Sequence, residues 1–226
     1  YEQFGMTLRV QGREMSFSSE NPRETDVLSK MLAAMTGQYF TVKMTRLGKL
    51  LVVENLDQLF ETVVEQMAGV TPEQKQQSKE QMLRSYGEKA FKGSFETITN
   101  IYSNSAVEKG DTWSIDTKLE SVAAATLKTT FKFEGMVDGY HQIVGTGRFE
   151  TLDKDAYSDI SGMPTKYHLS GTATSAFKLD AATGWIIEGT VAQSLSGNAE
   201  IKDNPDLRGG LTIPMSIESK LEYRSH

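Results

Sequence analysis

The sequence predicts an α+β fold in which a large, strongly curved antiparallel sheet of roughly eight to twelve strands, half-barrel-like, wraps a few helices from the N-terminal half. Three observations predict it. After residue 105 apolar and polar residues alternate with a period of two, as half-buried antiparallel strands require. Before it, apolar residues recur at spacings of three and four, the mark of amphipathic helices. No fixed-period repeat, low-complexity tract or linker interrupts the chain, so residues 1–226 read as one domain, with helices mainly over 26–36, 56–68 and 72–102 and a strand-rich part over 107–224.

Each element has a local reason. Met6 to Val10 and Met15 to Phe17 form a strand pair whose apolar parity slips around Gln11-Gly12, as a turn makes it do. Asp26 can cap a short helix with Val27, Leu28, Met31, Leu32 and Met35 on one face, ended by Gly37. A hairpin over Tyr39 to Val53 turns at Arg46-Leu47-Gly48-Lys49, and Leu56, Leu59, Phe60, Val63, Val64 and Met67 then form a second helical stripe. In Thr71-Pro72-Glu73-Gln74, Thr71 and Gln74 can satisfy each other's free amides, and Pro72 sits where a missing N–H does no harm. The apolar face that follows runs to about Tyr102, with Gly87 and Gly93 expected to break it.

In the second half, Trp113, Ile115, Thr117 and Leu119 share a face, as do Leu127, Phe131, Phe133 and Val137, opposite Lys128, Lys132 and Glu134. The period continues through Tyr167 to Leu179, through Trp185, Ile187, Val191 and Leu195, and through Leu211 to Tyr223. Asp180-Ala181-Ala182-Thr183-Gly184 joins two of these strands, with a glycine where positive φ is easily adopted. This reading makes Trp185 a large inward-facing anchor at a hairpin corner.

Composition excludes several chemistries. A net charge of −6, with Lys and Arg scattered among acids, offers no basic stripe for nucleic acid. The absence of cysteine removes disulfides and thiolate catalysis, and it leans toward an exported protein. No Gly-x-Ser-x-Gly elbow, His-Glu-x-x-His pair, phosphate loop or dinucleotide fingerprint occurs. Of three histidines, His141 and His168 are read onto the polar faces of strands. Asp153 to Asp159 gathers three carboxylates, but Tyr157, Ser158 and Pro164 stand where a calcium loop needs an oxygen ligand, a glycine and an acid, so a solvated turn is expected. A pair of carboxylates meeting from distant strands would leave no spacing signature, which keeps a hydrolase as an alternative.

The hairpin feeding "VVENLDQLFETVVEQM", the later "YGEKAF" and "SNSAVEKGDTWSIDTKL" together resemble a family of uncharacterised exported bacterial proteins, many of them lipoproteins, classed as a domain of unknown function. Gly110-Asp111-Thr112-Trp113 matches the element that opens the family's strand-rich half, and Asp180 to Gly184 matches its D-x-x-T-G turn. Ser103 to Val107 departs from the usual P-x-K-x-V. The resemblance carries no activity, cofactor or catalytic residue with it. The layout also resembles the half-barrels of lipoprotein carriers, a likeness of fold and not of function.

These readings lead to a non-enzymatic envelope protein without cofactor or metal, exported to the periplasm or cell surface. Membrane contact is expected only through a lipid on a cysteine upstream of Tyr1. A lipid or other apolar ligand would lie in a cavity between sheet and helices lined by Met31, Met35, Phe60, Met67 and Phe91. The alternative is an envelope scaffold that binds a protein or glycan through its surface.

Overall fold

The computed structural model describes residues 5–10, 13–18, 40–65, 71–120, 124–160, 163–205 and 207–225. Its strands are β1 (Gly5–Val10), β2 (Arg13–Ser18), β3 (Thr41–Met44), β4 (Leu50–Glu54), β5 (Thr112–Glu120), β6 (Ala124–Val137), β7 (Tyr140–Thr151), β8 (Ser158–Ile160), β9 (Met163–Asp180), β10 (Ile186–Ile201) and β11 (Leu211–Arg224). Between β4 and β5 lie the helices α1 (Leu56–Glu65), α2 (Pro72–Tyr86) and α3 (Glu88–Thr99). The expected helix over 26–36 falls outside the described residues, as does Met67.

Among the described residues nine strands form one antiparallel sheet in the order β2-β1-β11-β10-β9-β7-β6-β5, with β8 paired beside β9. The sheet does not close among the described residues, and β2 and β5 are its edges there. The α+β class and the open, curved antiparallel sheet therefore agree with the sequence. The first strand pairs with the last through Arg9 opposite Glu218 and Val10 opposite Ile217.

Local chemistry explains the helices. Thr71 Oγ1 accepts the Gln74 N–H at 3.3 Å and Gln74 Oε1 accepts the Thr71 N–H at 2.9 Å, which completes the capping box ahead of Pro72. Gly87 separates α2 from α3, as expected, whereas Gly93 lies inside α3. A Cβ at Gly93 would come within 2.6 Å of the Lys118 carbonyl oxygen, so this glycine serves the close approach of α3 to β5.

Two cores result. Leu50, Val53, Leu56, Leu59, Phe60, Val64 and Met82 pack under the β3–β4 hairpin. Ile98 and Ile101, at the end of α3, pack on the sheet with Phe131, Ile143, Phe177, Leu179, Ile186 and Val191. The buried Glu96 carboxylate accepts the Leu50 N–H at 2.8 Å and Thr99 Oγ1 donates to the Gly48 carbonyl at 2.7 Å, so α3 belongs to both cores.

The alternation holds along most of the sheet, with two corrections. Trp185 is not an inward anchor: it is 52% exposed, and Ile186 is the buried residue. The register shifts between Ile186 and Glu188, leaving Ile187 as one extra residue, and that bulge moves Trp185 to the side opposite Val191 and Leu195. A second shift, between Phe133 and Gly135, likewise takes Val137 off the face of Leu127 and Phe131, and Val137 is exposed.

Candidate functional site

The concave face of the sheet is built from odd-numbered residues of β5, of β6 up to its register shift, of β7 and β9, of β10 beyond its bulge, and of β11. At one end it is closed by α3 and the residues after it. Trp113 Nε1–H donates to the Ile101 carbonyl at 3.0 Å, and the Tyr102 hydroxyl donates to the Gly184 carbonyl at 2.9 Å. Burial, with the neighbouring Tyr223 phenol adding to it, pushes the Tyr102 phenol up to about 12, so it stays a neutral donor at any physiological pH.

Under that closure, cross-strand glycines receive aromatic rings. A Cβ at Gly145 would lie 2.9 Å from the Phe131 ring, and one at Gly189 would lie 2.9 Å from the Phe177 ring. Ser175 Oγ, beside Gly145, is buried and has no hydrogen-bond partner among the described residues.

Towards β11 the packing thins. On β10, Val191, Leu195 and Ala199 are buried. Opposite them on β11, Leu221, Ile217 and Ile213 continue the same side of the sheet, with Met215 and Leu211 alongside. None of these five is fully buried, and Leu211 and Leu221 are 46% and 37% exposed. On the convex side of β9–β11 a shallow recess of about 390 Å³ is lined by Thr172, Thr174, Ala192, Ser194, Glu218 and Lys220.

The residues singled out in the sequence fall as follows. Phe60 is packed on all sides in the hairpin–helix core, and Phe91 lies at its margin, edge-on to Phe40 at 5.0 Å and stacked on Phe95 at 5.2 Å. The structure thus brings these two into one core, under the small hairpin. Met31, Met35 and Met67 lie outside the residues whose side chains are described. His168 stands opposite Asn198 on the convex side. His141 does not stand on a polar face: it pairs with the buried Leu179, its ring lies 5.5 Å from Phe133, and its Nδ1 is buried without a partner among the described residues. Its place follows from the parity of Ile143, two residues on, which outweighs the polar neighbours Tyr140 and Gln142. Asp153 Oδ1 accepts the N–H groups of Asp155 and Ala156, both at 3.1 Å, which makes that loop an aspartate-held turn. Among the described residues no group of three His, Asp or Glu side chains converges that could hold a metal ion. Nor is any described helix long and apolar enough to cross a membrane.

The Asp180 turn is fixed by one carboxylate. Asp180 Oδ1 accepts Thr183 Oγ1–H at 2.7 Å, the Thr183 N–H at 2.8 Å and the Ala182 N–H at 3.2 Å. The Thr183 hydroxyl, then the Thr183 amide, hold the Asp180 carboxyl below its ordinary range. A depressed carboxyl stabilises the fold above the unfolded-state value and loses that contribution as pH falls through the folded value. Asp180→Ala is therefore expected to lower Tm near neutral pH, with the gap to the unsubstituted protein closing as pH falls below the carboxylate range. Thermal melts across that range check it.

Fold and concave face together define an open-sheet α+β protein with a partly uncovered apolar strand. A family of unknown function, DUF6263, matches residues 1–186, and the chain belongs to that family. No curated protein and no solved structure matches the chain.

Proposed function

We propose that this protein is a non-enzymatic, exported protein of the cell envelope that holds a lipid or similar apolar ligand against the concave face of its sheet. The observation that carries the reading is the row Leu211, Ile213, Met215, Ile217 and Leu221 on one side of β11, interrupted by Ser219 and only partly covered, beside the buried Val191, Leu195 and Ala199 of β10. Apolar side chains left half-uncovered on the inner side of a curved sheet suit an acyl chain, and the central Met215 adapts to varied apolar shapes. The ligand class is the one the sequence suggests; of the five residues expected to line a cavity between sheet and helices, Phe60 and Phe91 pack in the hairpin–helix core, and the present reading places the ligand at β11. Export and an upstream lipid anchor belong to the same reading.

Native mass spectrometry of protein purified from bacteria tests it. The expected result is a lipid-sized mass adduct that denaturation removes and that Ile217→Glu largely abolishes. A bare polypeptide mass from native preparations, with no acquisition of added fatty acid, would refute the carrier.

A second reading, a scaffold that binds a glycan or protein through its surface, is favoured by the convex recess, whose Thr172, Thr174 and Ser194 side chains are exposed between Glu218 and Lys220. Retention on glycan arrays, lost in Thr174→Val, would support it.

A further inference from the structure

We infer that the concave face selects an uncharged single-chain lipid, a monoacylglycerol or other neutral acyl ester, with its chain along β11 from Leu211 to Ile217 and its polar head on Gln193 and Ser219. This selectivity rests on the carrier reading above and adds the chemical class of the ligand. Charge is distributed to suit it. Every Asp, Glu, Lys and Arg of β5, β6, β7, β9, β10 and β11 holds an even-numbered position. Those positions face the convex side, except Glu134 at the register shift of β6, where Lys132 of the convex side pairs with it at 2.8 Å. The odd-numbered positions that build the concave face hold no Asp, Glu, Lys or Arg, and their only histidine, His141, lies at the end closed by α3.

That division discriminates between head groups. A carboxylate or phosphate drawn against this face gives up water and meets no counter-ion among the described strands. A hydroxyl or ester oxygen needs only a hydrogen-bond partner.

Such partners stand at one place. Gln193 of β10 and Ser219 of β11 are directly opposite each other on the concave side. Both are half-buried, and neither side chain makes a hydrogen bond among the described residues. The Gln193 amide offers two donors and an acceptor, and the Ser219 hydroxyl donates and accepts, which suits the hydroxyls and ester oxygens of a glycerol head. Beyond Gln193 in the same row come Ala173 and Gly147, whose small size leaves the amide without a bulky neighbour on that flank.

The dimensions admit one chain. Ser219 breaks the apolar side of β11 just after Ile217, and from Leu211 to Ile217 that side runs about 20 Å at about 3.4 Å per residue. One acyl chain spans about half of the ~30 Å hydrocarbon core of a bilayer, so it fits along this stretch with its head at Ser219. On β10, Leu195 and Ala199 are buried, so the uncovered strip is a single strand wide and takes a single chain.

Calorimetric titration of the delipidated full chain with monopalmitoylglycerol and with fully ionised palmitate tests this, since the two share one acyl chain and differ in the charge of the head. Monopalmitoylglycerol is expected to bind roughly tenfold or more tightly, about the factor that one uncompensated polar group is worth. The double variant Gln193→Leu/Ser219→Ala is expected to erase that preference with an unchanged circular-dichroism spectrum. Ser219→Lys, which sets a cation beside the head, is expected to reverse it, and this single change gives an independent reading should the double variant fold poorly. Palmitate bound as tightly as the glycerol ester overturns the inference and leaves the carrier standing, as does a preference that survives both variants. Binding of neither ligand removes the carrier and this selectivity with it.

Discussion

Replacing Gly48 with alanine is expected to remove most of the stability of the hairpin–helix core. Gly48 has φ 81°, and a Cβ there would fall 1.6 Å from the Thr99 carbonyl oxygen, on backbone that cannot swing aside. The left-handed conformation costs a non-glycine residue about 1–3 kcal/mol, and forcing the hairpin off α3 adds a further ~1–3 kcal/mol of overpacking. The displacement also strains the Thr99 Oγ1–H bond to the Gly48 carbonyl. Gly184→Ala is the control: φ there is 70°, but a Cβ meets nothing within 4 Å, so only the conformational part is lost. Urea unfolding of both variants isolates the contact as the difference between them.

Phe177→Ala is expected to cost about 3–5 kcal/mol. Phe177 is 2% exposed, lies 6.5 Å from the Phe131 ring and covers Gly189 across the strand pair. Its loss opens a cavity under Ile98 and Ile101 and uncovers a glycine in the middle of a strand. The geometry further predicts coupling. Gly189→Ala alone should destabilise, since its Cβ would press on the ring at 2.9 Å, yet added to Phe177→Ala it should recover part of the loss by filling the space. Strictly additive unfolding energies in that double-mutant cycle would show that the ring does not rest on the glycine.

The fold class was legible because its signals are local. Thr71 and Gln74 report a helix start within four residues, and the alternation from Tyr167 to Leu179 reports a strand without reference to its partner. What was not legible depends on pairing. A bulge at Ile187 adds one residue whose presence is defined only against β9, so the sequence offers an unbroken apolar series from Trp185 to Leu195 in which the first member belongs to the other side. The glycine before Trp185 and the adjacent pair Ile186-Ile187 were the available hint, since two successive large apolar residues cannot both face one core. His141 shows the same limit: its polar neighbours Tyr140 and Gln142 mask the parity with Ile143 that turns it inward. The β11 row was visible as a strand, but how far it is covered is a property of the assembled sheet.

The pairing of β1 with β11 has a consequence for the order in which the molecule is made. Arg9 and Glu218 are neighbours in the sheet and lie at opposite ends of the chain. Translation adds roughly 5–20 residues per second, so tens of seconds separate the synthesis of the two strands. Throughout that interval the β1–β2 hairpin has no sheet to join, and a lone two-stranded hairpin is marginal in water. Strands β1 and β2 are therefore the last of this sheet to be secured. Until β11 emerges, the free side of β1 is an open template for the same strand of another copy, which makes the nascent chain most vulnerable to self-association at the end that was made first.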